Sequence, residues 1–353
     1  MHPSLKPYFD RVELGYLKTS RKDGLILFGY TEKCTFDRAW DEYTRKARGI
    51  IFEEATGKLI ATPFPKFFNL GEMEETFFDN LPKTPYSIHE KMDGSLGIVY
   101  YWKGEWLVAT RGSLTSDQAY EAMDILHQYD LSVLHPSETL LVEIIYPENR
   151  IIVDYGKERK LVLLGMMADG EPVYQQAVDL QAKHMGMPRP EMYLMTIEQA
   201  IAKAKVLPKL EEGFVVHYEN GFKVKIKGDE YMKIAKILAH LSPLSLWEVM
   251  VDGKVAMEYL QQIPEEFRSV WEPMRDSLER SYESVMHTAK ETLMKVERIV
   301  GLEDKAAIGK YLKGADHAYG GMVWPLLQKN TKNLEKMIMS EIKPVGNVLK
   351  GRF

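Results

Sequence analysis

Apolar positions along the chain follow two rhythms. From Gly24 to Lys227, short β-branched and aromatic runs are broken by Gly, Asp, Asn and Pro: LILFGY, RGIIFEEATGKLIATPF, SIHEKMDGSLGIVYYWKGEWLVATRG, TLLVEIIYP, IIVDYG, KLVLLGMMADG and EGFVVHYENGFKVKIK. Runs of this length and composition predict strands. Turn-forming pieces such as ATGK, WKGE and YENG join several of them as hairpins, so the sheets are expected to be largely antiparallel. Helical spacing interrupts the pattern near Ser116 to His127, Tyr174 to Met185 and Thr196 to Lys205. After Tyr231 the rhythm is helical. From Pro264 to Val300, residues such as Phe267, Trp271, Met274, Leu278, Tyr282, Val285, Ala289, Leu293, Val296 and Ile299 recur every three or four positions, and Gly301 offers a stop. Further helices are expected at Pro243 to Val251, Asp304 to Lys313 and Leu334 to Ile342. The fold class read from this pattern is α+β over residues 1–235, followed by an all-α domain over residues 236–353.

Composition narrows the function without naming it. Forty-six Lys and Arg against 51 Asp and Glu leave a formal charge of −5, so any site for a polyanion must be local. Cys34 is the single cysteine, which excludes an internal disulfide and a thiolate zinc cage and suits a reducing cytoplasm. The longest apolar run, Leu161 to Ala168, falls far short of the roughly 20 residues that span a bilayer. The opening MHPSLKPYFDRVELGY mixes charges and prolines where a signal peptide needs an apolar stretch. A soluble intracellular protein is expected. No Walker A context and no Rossmann glycine fingerprint is present, so side chains must do much of any phosphate binding.

The segment His89-Glu90-Lys91-Met92-Asp93-Gly94-Ser95 places a lysine between two acids at a strand end, ahead of a tight turn into Leu96 to Tyr101. A lysine nucleophile must lose its proton, and nearby cations oppose its ammonium form. Arg48, Lys66, Arg111, Lys223, Lys225 and Lys227 are candidates for those cations. Alone, the motif also describes a surface turn with solvated charges. Lys223, Lys225 and Lys227, spaced by two, share one strand face, where their repulsion invites an anion such as a triphosphate, although a solvated edge strand has the same pattern. Glu212, beside a glycine, is a candidate to help hold a divalent metal. Glu143 lies among Leu141, Val142, Ile144 and Ile145, and if buried it needs a hydroxyl, a cation or a metal. Pro63 to Glu72 joins Lys66 to paired aromatics, fit for a phosphate contact beside a purine-stacking surface or for ordinary core packing.

Taken together, RGIIFE, PFPKFFNLGE, EKMDGS, TRGSLTSDQA, VEIIYPENRIIVDYG, EGFVV and KIKGDEY resemble, in order and approximate spacing, the T-even phage RNA ligase 1 family of covalent nucleotidyltransferases. The similarity covers roughly residues 25 to 235. It implies a nucleotidyltransferase (ATP-grasp-like) domain of antiparallel sheets with flanking helices, then a helical domain associated in that family with tRNA recognition. It also implies an ATP-dependent RNA ligase, an adenylyltransferase working through lysyl-AMP on Lys91, with magnesium or manganese, in RNA or tRNA repair in a bacterial or phage-infected cell. Catalytic roles would fall to Lys91, Glu212, Lys225 and Lys227. Tyr30, Arg48, Lys66, Phe68, Glu90, Gly94, Arg111 and Glu143 would complete the nucleotide site, with Glu212 and Glu143 as metal ligands. Arg111 stands where the phage family has lysine, which keeps the charge and changes the geometry. Lys329, Lys332, Lys343 and Lys350 are candidate phosphate contacts in the helical domain. Single-stranded RNA, broken tRNA loop ends and a separate end-healing kinase or phosphatase are the expected partners. The alternatives are a lysyl-AMP ligase of nicked duplexes or DNA ends, and a non-catalytic RNA-end or nucleotide-binding protein.

Overall fold

In the computed structural model, residues 2–240, 242–252, 268–314 and 317–345 are described. Contacts divide the chain into Met1–Lys233 and Ile234–Phe353.

In the first unit, Leu17–Lys22 (β1) and Leu25–Tyr30 (β2) form a hairpin through Asp23 and Gly24, both at positive φ (52° and 86°). That is the turn whose twist matches paired strands. Arg48–Glu53 (β3) and Leu59–Ala61 (β4) complete a four-stranded antiparallel sheet. Every residue of LILFGY is buried because both faces of β2 are covered. Ile26 and Phe28 pack with Leu5 and Tyr8 on one side, and Leu25 and Leu27 pack toward a second sheet on the other.

Phe68–Asn69 (β5) and Tyr86–Glu90 (β6) belong to a third sheet. The second contains Ser95–Trp102 (β7), Glu105–Thr110 (β8), Glu138–Ile145 (β9), Lys160–Ala168 (β10) and Glu171–Pro172 (β11), in the order β11-β10-β9-β7-β8. Its far face buries Val99, Leu140, Val142 and Leu163 against the helices Asp117–Leu126 and Gln175–Met185. Met192–Tyr193 (β12), Gly213–Tyr218 (β13) and Lys223–Lys227 (β14) complete the third sheet, in the order β12-β6-β13-β14-β5. All the strand pairs are antiparallel except β14 with β5, which is parallel. The helix Ile197–Ala204, capped by Thr196, packs Ile197, Ala200 and Ala204 onto Phe214, Val224 and Ile226 of that sheet.

In the second unit, Arg268–Ile299 places Val285 and Ala289 against Leu334, Ile338 and Ile342 of Thr331–Ile342, while Val296 meets Ile308 of Lys305–Gly314. Trp247, in Pro243–Asp252, donates its indole N–H to the Met339 carbonyl at 2.7 Å. Pro264 to Phe267 and Lys350 lie outside the described residues.

Two differences from expectation concern the first unit. IIVDYG is not a strand: residues 151–156 are irregular, because the Ile152 and Val153 N–H groups both donate to the Asp93 carboxylate instead of to a neighbouring strand. Near the amino terminus the structure adds β1 and the helices Lys6–Glu13, Glu32–Phe36 and Glu42–Lys46; LKTSRK is too polar to announce a strand, and its last two positions are exposed.

Candidate active site

Lys91 follows the last residue of β6, and its N–H donates to the Gly213 carbonyl at 2.8 Å. Its amine lies 2.6 Å from Glu212 Oε2 and 3.2 Å from the Met92 carbonyl. The other Glu212 oxygen pairs with the Lys227 ammonium at 2.9 Å, so one carboxylate, 4% exposed, joins the two lysines. Gly213 sits at φ 130°, where a Cβ would lie 2.2 Å from the Ile226 carbonyl; a glycine is required for β13 to close on β14 there. Beside the expected cations, with Lys227 on the same carboxylate and Arg48 and Lys225 in the same cavity lining, the Lys91 amine has a carboxylate at hydrogen-bond distance.

The turn after Lys91 is anchored by Asp93, which is 4% exposed. Its Oδ2 accepts the Ile152 and Val153 N–H groups, both at 2.8 Å, and its Oδ1 accepts the Tyr231 hydroxyl at 2.8 Å. Its own N–H donates to the Tyr155 hydroxyl at 2.9 Å. Gly94 donates its N–H to Glu143 Oε1 at 2.9 Å. A Cβ on Gly94 would stand 2.7 Å from the Ile144 carbonyl and 3.1 Å from Glu143 Cγ, so close approach, with no positive φ, makes glycine necessary.

A cavity opens where the three sheets meet, lined by Arg48 of β3, Glu90 and Lys91 at the end of β6, Glu143 of β9 and Lys225 of β14. Phe64 and Phe67 contribute phenyl rings, with the Lys225 ammonium 4.6 Å and the Arg48 guanidinium 5.5 Å from the Phe67 centroid. Burial first, then the charges of Arg48, Lys66, Lys91 and Lys227, push the Lys225 ammonium down to about 7. Burial pushes the Glu143 carboxyl up to about 7, aided by Glu212 and opposed by Lys91, Arg48 and the Gly94 N–H. Burial likewise raises Glu90 and lowers Arg48. His89 and His217 also line the cavity, and burial holds both imidazoles below their ordinary range, His89 at about 4.

Tyr30, Lys66, Arg111 and Phe68 form a neighbouring group outside the cavity lining. The Lys66 ammonium stands 5.5, 5.2 and 5.3 Å from the Tyr30, Trp40 and Phe68 rings, and the Arg111 guanidinium 4.7 Å from Tyr30. Burial opposes ionisation of Tyr30, yet Lys66, Arg111 and Arg48 together bring its hydroxyl below its ordinary range. Phe68 is 1% exposed, and its T-shaped contact with Trp40 makes it a core residue. Its neighbour Phe67 lines the cavity, since adjacent residues of an extended chain face opposite sides.

Of the residues the sequence singles out, the structure joins Lys91, Glu212 and Lys227 in one ion-paired group and sets Arg48, Phe67, Glu90, Glu143 and Lys225 around one cavity; Asp93, Tyr155, Tyr231 and the two histidines are given no role by the sequence. Tyr155 and Tyr231 sit inside two of the quoted motifs, which was the available signal. Among the described residues no group of three or more His, Cys, Asp or Glu is arranged to cage a metal. Glu212 and Glu143 are two carboxylates beside buried cations, a donor set that fits magnesium bound partly through substrate phosphates. No described helix is long and apolar enough to cross a membrane.

A family model described as RNA ligase, of the T4 RNA ligase 1 type, matches residues 46–231, more than half of the chain and the stretch that holds the cavity, Lys91 and Glu212. A putative bifunctional polynucleotide kinase/RNA ligase of Autographa californica nuclear polyhedrosis virus is 26% identical over 268 residues, 67% of this chain but 37% of its own length. The chain thus spans little more than a third of that relative. The RNA ligase of Rhodothermus phage RM378 is 23% identical over 348 residues, covering 77% of this chain and 78% of its own. Among solved structures, a putative ATP-dependent DNA ligase from Aquifex aeolicus aligns with a TM-score of 0.49 at 16% identity, over 87% of this chain and 80% of that one. With Arg48, Lys91, Glu143, Glu212, Lys225 and Lys227 all inside the matched stretch, the chain belongs to the T4 RNA ligase 1-like family of RNA ligases.

Proposed function

We propose that this protein is an ATP-dependent RNA ligase that joins 5′-phosphate and 3′-hydroxyl RNA ends through lysyl-AMP and an adenylated RNA 5′ end. The observation that carries the reading is the Lys91 amine, 2.6 Å from a buried carboxylate, at the wall of a cation-rich cavity within the family match. In the first step the Lys91 nitrogen bonds to the α-phosphorus of ATP as the bond to pyrophosphate breaks. Glu212 is placed to take the amine proton. A 5′-phosphate oxygen of RNA then displaces Lys91 from AMP, and a 3′-hydroxyl displaces AMP from the RNA end.

Such transfers depend on positioning and on stabilising phosphoryl oxygens. Lys225 and Lys227 are assigned the α-phosphate and the departing pyrophosphate. Tyr30, Lys66 and Arg111 are assigned the outer phosphates, and Glu143 the ribose. Of the paired aromatics, Phe67 takes the stacking role, and Gly94 holds the turn close to Glu143. Magnesium, or manganese, held by Glu212 or Glu143 with the substrate phosphates, would neutralise phosphoryl charge. Residues 1–235 form the adenylyltransferase domain in this reading. The helical unit, through Lys329, Lys332 and Lys343, contributes to single-stranded RNA or broken tRNA loop recognition in the cytoplasm, downstream of an end-healing kinase or phosphatase. The viral relative's name, which joins polynucleotide kinase to RNA ligase, supports that pairing.

The test is intact mass after incubation with ATP and magnesium, wild type against Lys91→Ala. An adenylate-sized increase in wild type alone is expected, followed by sealing of 5′-phosphorylated single-stranded RNA. No increase in protein shown to be free of AMP beforehand would leave a non-catalytic binding protein, and preference for nicked duplex would move the acceptor to double strands.

A further inference from the structure

His217 stands at the end of the cavity away from Lys91. The Lys91 N–H meets the Gly213 carbonyl, and His217 lies four residues further along β13, opposite Ser87, or roughly 14 Å away at ~3.4 Å per residue. Its imidazole lines the cavity, held edge-on by the Phe64 ring at 6.3 Å and the His89 ring at 5.2 Å. A chain of hydrogen bonds fixes which of its nitrogens carries the proton. A guanidinium can only donate, and Arg189 Nη2 lies 2.5 Å from Gln175 Oε1. The other end of that amide is therefore the NH₂, which also can only donate, and it lies 3.3 Å from His217 Nδ1. Nδ1 must accept, so the proton of the neutral ring sits on Nε2. Burial, then Lys223, His89 and Arg189, keeps the ring neutral. Arg189 is itself tied down, by Nε to Asp179 at 2.8 Å and by Nη1 to the Leu163 carbonyl at 2.5 Å, so the chain starts from a fixed point. Of the two histidines in the lining, His217 is the one with a donor to offer. His89 Nε2 is 3.0 Å from the Ser87 hydroxyl, and its Nδ1 is sealed from the cavity. His217 Nε2 has no hydrogen bond to a described residue and keeps accessible surface. Gln175 is outside the cavity lining, and the two nitrogens of an imidazole point away from each other, so Nε2 faces inward.

We infer that His217 selects the base of the nucleotide, by donating its Nε2–H to N1 of adenine. The inference rests on the ligase reading, which sets the α-phosphate of ATP at Lys91 and so the base deeper in the cavity. Among the ring acceptors of adenine, N3 and N7 lie toward the ribose, whereas N1 lies on the edge farthest from it, the edge that reaches the end of the cavity where His217 stands. Guanine carries a hydrogen on N1, so two donors would face each other and the imidazole N–H would be buried without a partner. Gln175 and Arg189 are positioning residues: they act on the base only through the tautomer that they impose on His217.

The test is calorimetric binding of AMP, 1-deaza-AMP, 7-deaza-AMP and GMP, which needs no turnover, to wild type and His217→Phe. In wild type the 1-deaza analogue, with C–H in place of N1, is expected to bind roughly tenfold more weakly than AMP, GMP at least as weakly, and the 7-deaza analogue about as well as AMP. His217→Phe is expected to erase the difference between AMP and the 1-deaza analogue. Long-range ¹H–¹⁵N spectra of histidine-labelled protein should show the His217 proton on Nε2 in wild type and shared between both nitrogens in Gln175→Leu. A 1-deaza penalty of equal size in wild type and His217→Phe, no such penalty in wild type, or a proton on Nδ1 overturns the assignment. Should His217→Phe not fold, the wild-type nucleotide series and spectrum decide. Adenylate incorporation on the same samples separates the two readings. Selection at N1 by a protein that never forms the Lys91 adduct keeps His217 as the selector and removes the ligase. An adduct formed equally well from ATP and 1-deaza-ATP at low concentration keeps the ligase and removes the selector.

Discussion

Replacing Asp93 probes the turn that carries Lys91, the proposed nucleophile, without touching the lysine. Its carboxylate accepts three hydrogen bonds, from the Ile152 and Val153 N–H groups and the Tyr231 hydroxyl, at a residue 4% exposed. Asp93→Ala leaves three donors unsatisfied at about 1–3 kcal/mol each. Removing a buried charge returns part of that cost, because the carboxylate no longer has to be desolvated. A net loss of about 3 kcal/mol is expected, a large share of the roughly 5–15 kcal/mol that holds a domain folded. Asn is the informative control: its amide oxygen faces the two N–H groups while its NH₂ donates to the Tyr231 oxygen, so Asp93→Asn is expected to cost only about 1 kcal/mol. Tyr231→Phe removes one of the three bonds and should cost about as much as Asn. Urea unfolding followed by tryptophan fluorescence measures the series, and the rate of adenylate incorporation shows whether the Lys91 turn has shifted. A loss below 1 kcal/mol for Ala, or Asn costing more than Ala, would refute the account of Asp93 as the anchor of residues 151–156.

The buried carboxyl of Glu143, pushed up to about 7 from 4.5 chiefly by burial, holds its proton in the folded chain at pH values where the unfolded chain has lost it. Its contribution is therefore fully present below pH 4.5 and is lost as pH rises through about 7, so Glu143→Gln should gain about 2–3 kcal/mol on wild type between pH 4.5 and pH 8; parallel pH profiles in urea melts would contradict this. Lys225, down at about 7, is mostly neutral at pH 8, and a bound phosphate restores its charge. Nucleotide binding at pH 8 should take up close to one proton in wild type and far fewer in Lys225→Met, read by calorimetry in two buffers of different ionisation enthalpy. Gly94→Ala places a methyl 2.7 Å from the Ile144 carbonyl; a stability loss of about 1–3 kcal/mol and slower adenylylation are expected, and wild-type values for both would show that the turn has room.

Much of this arrangement is legible in the sequence because it is local. Lys223, Lys225 and Lys227 alternate with Val224 and Ile226, and that period alone places the lysines on one face and the valine and isoleucine in the core. Ser116 and Thr196, where helices are expected to begin, cap them with their side chains, whereas the helix expected from Leu334 begins at Thr331 after the cap Asn330. What escaped is long-range. IIVDYG has a strand's composition, but its donors answer to Asp93, about 60 positions earlier. Phe67 and Phe68 differ only in which side of the chain they face, and that side is set by the pairing of β5 with β14, far along the chain. The partner of Lys91 is Glu212, 121 residues away, and only the fold makes it nearer than the many lysines and arginines.

The position of β6 in its sheet also sets a timetable for synthesis. Both its neighbours, β12 and β13, come more than 100 residues later in the chain, with His89 opposite Met192 and Glu90 opposite Phe214. At about 5–20 residues per second, the ribosome delivers Phe214 roughly 6–25 s after Glu90. Until Met192 is made, roughly 5–20 s after His89, the strand leading to Lys91 has neither edge paired, and until Phe214 follows, Ile88, at 1% exposure in the finished protein, lacks that part of its core. The nascent chain therefore carries an unpaired strand and Lys91 together for many seconds, a window in which chaperone capture competes with aggregation and the cavity around Lys91 does not yet exist.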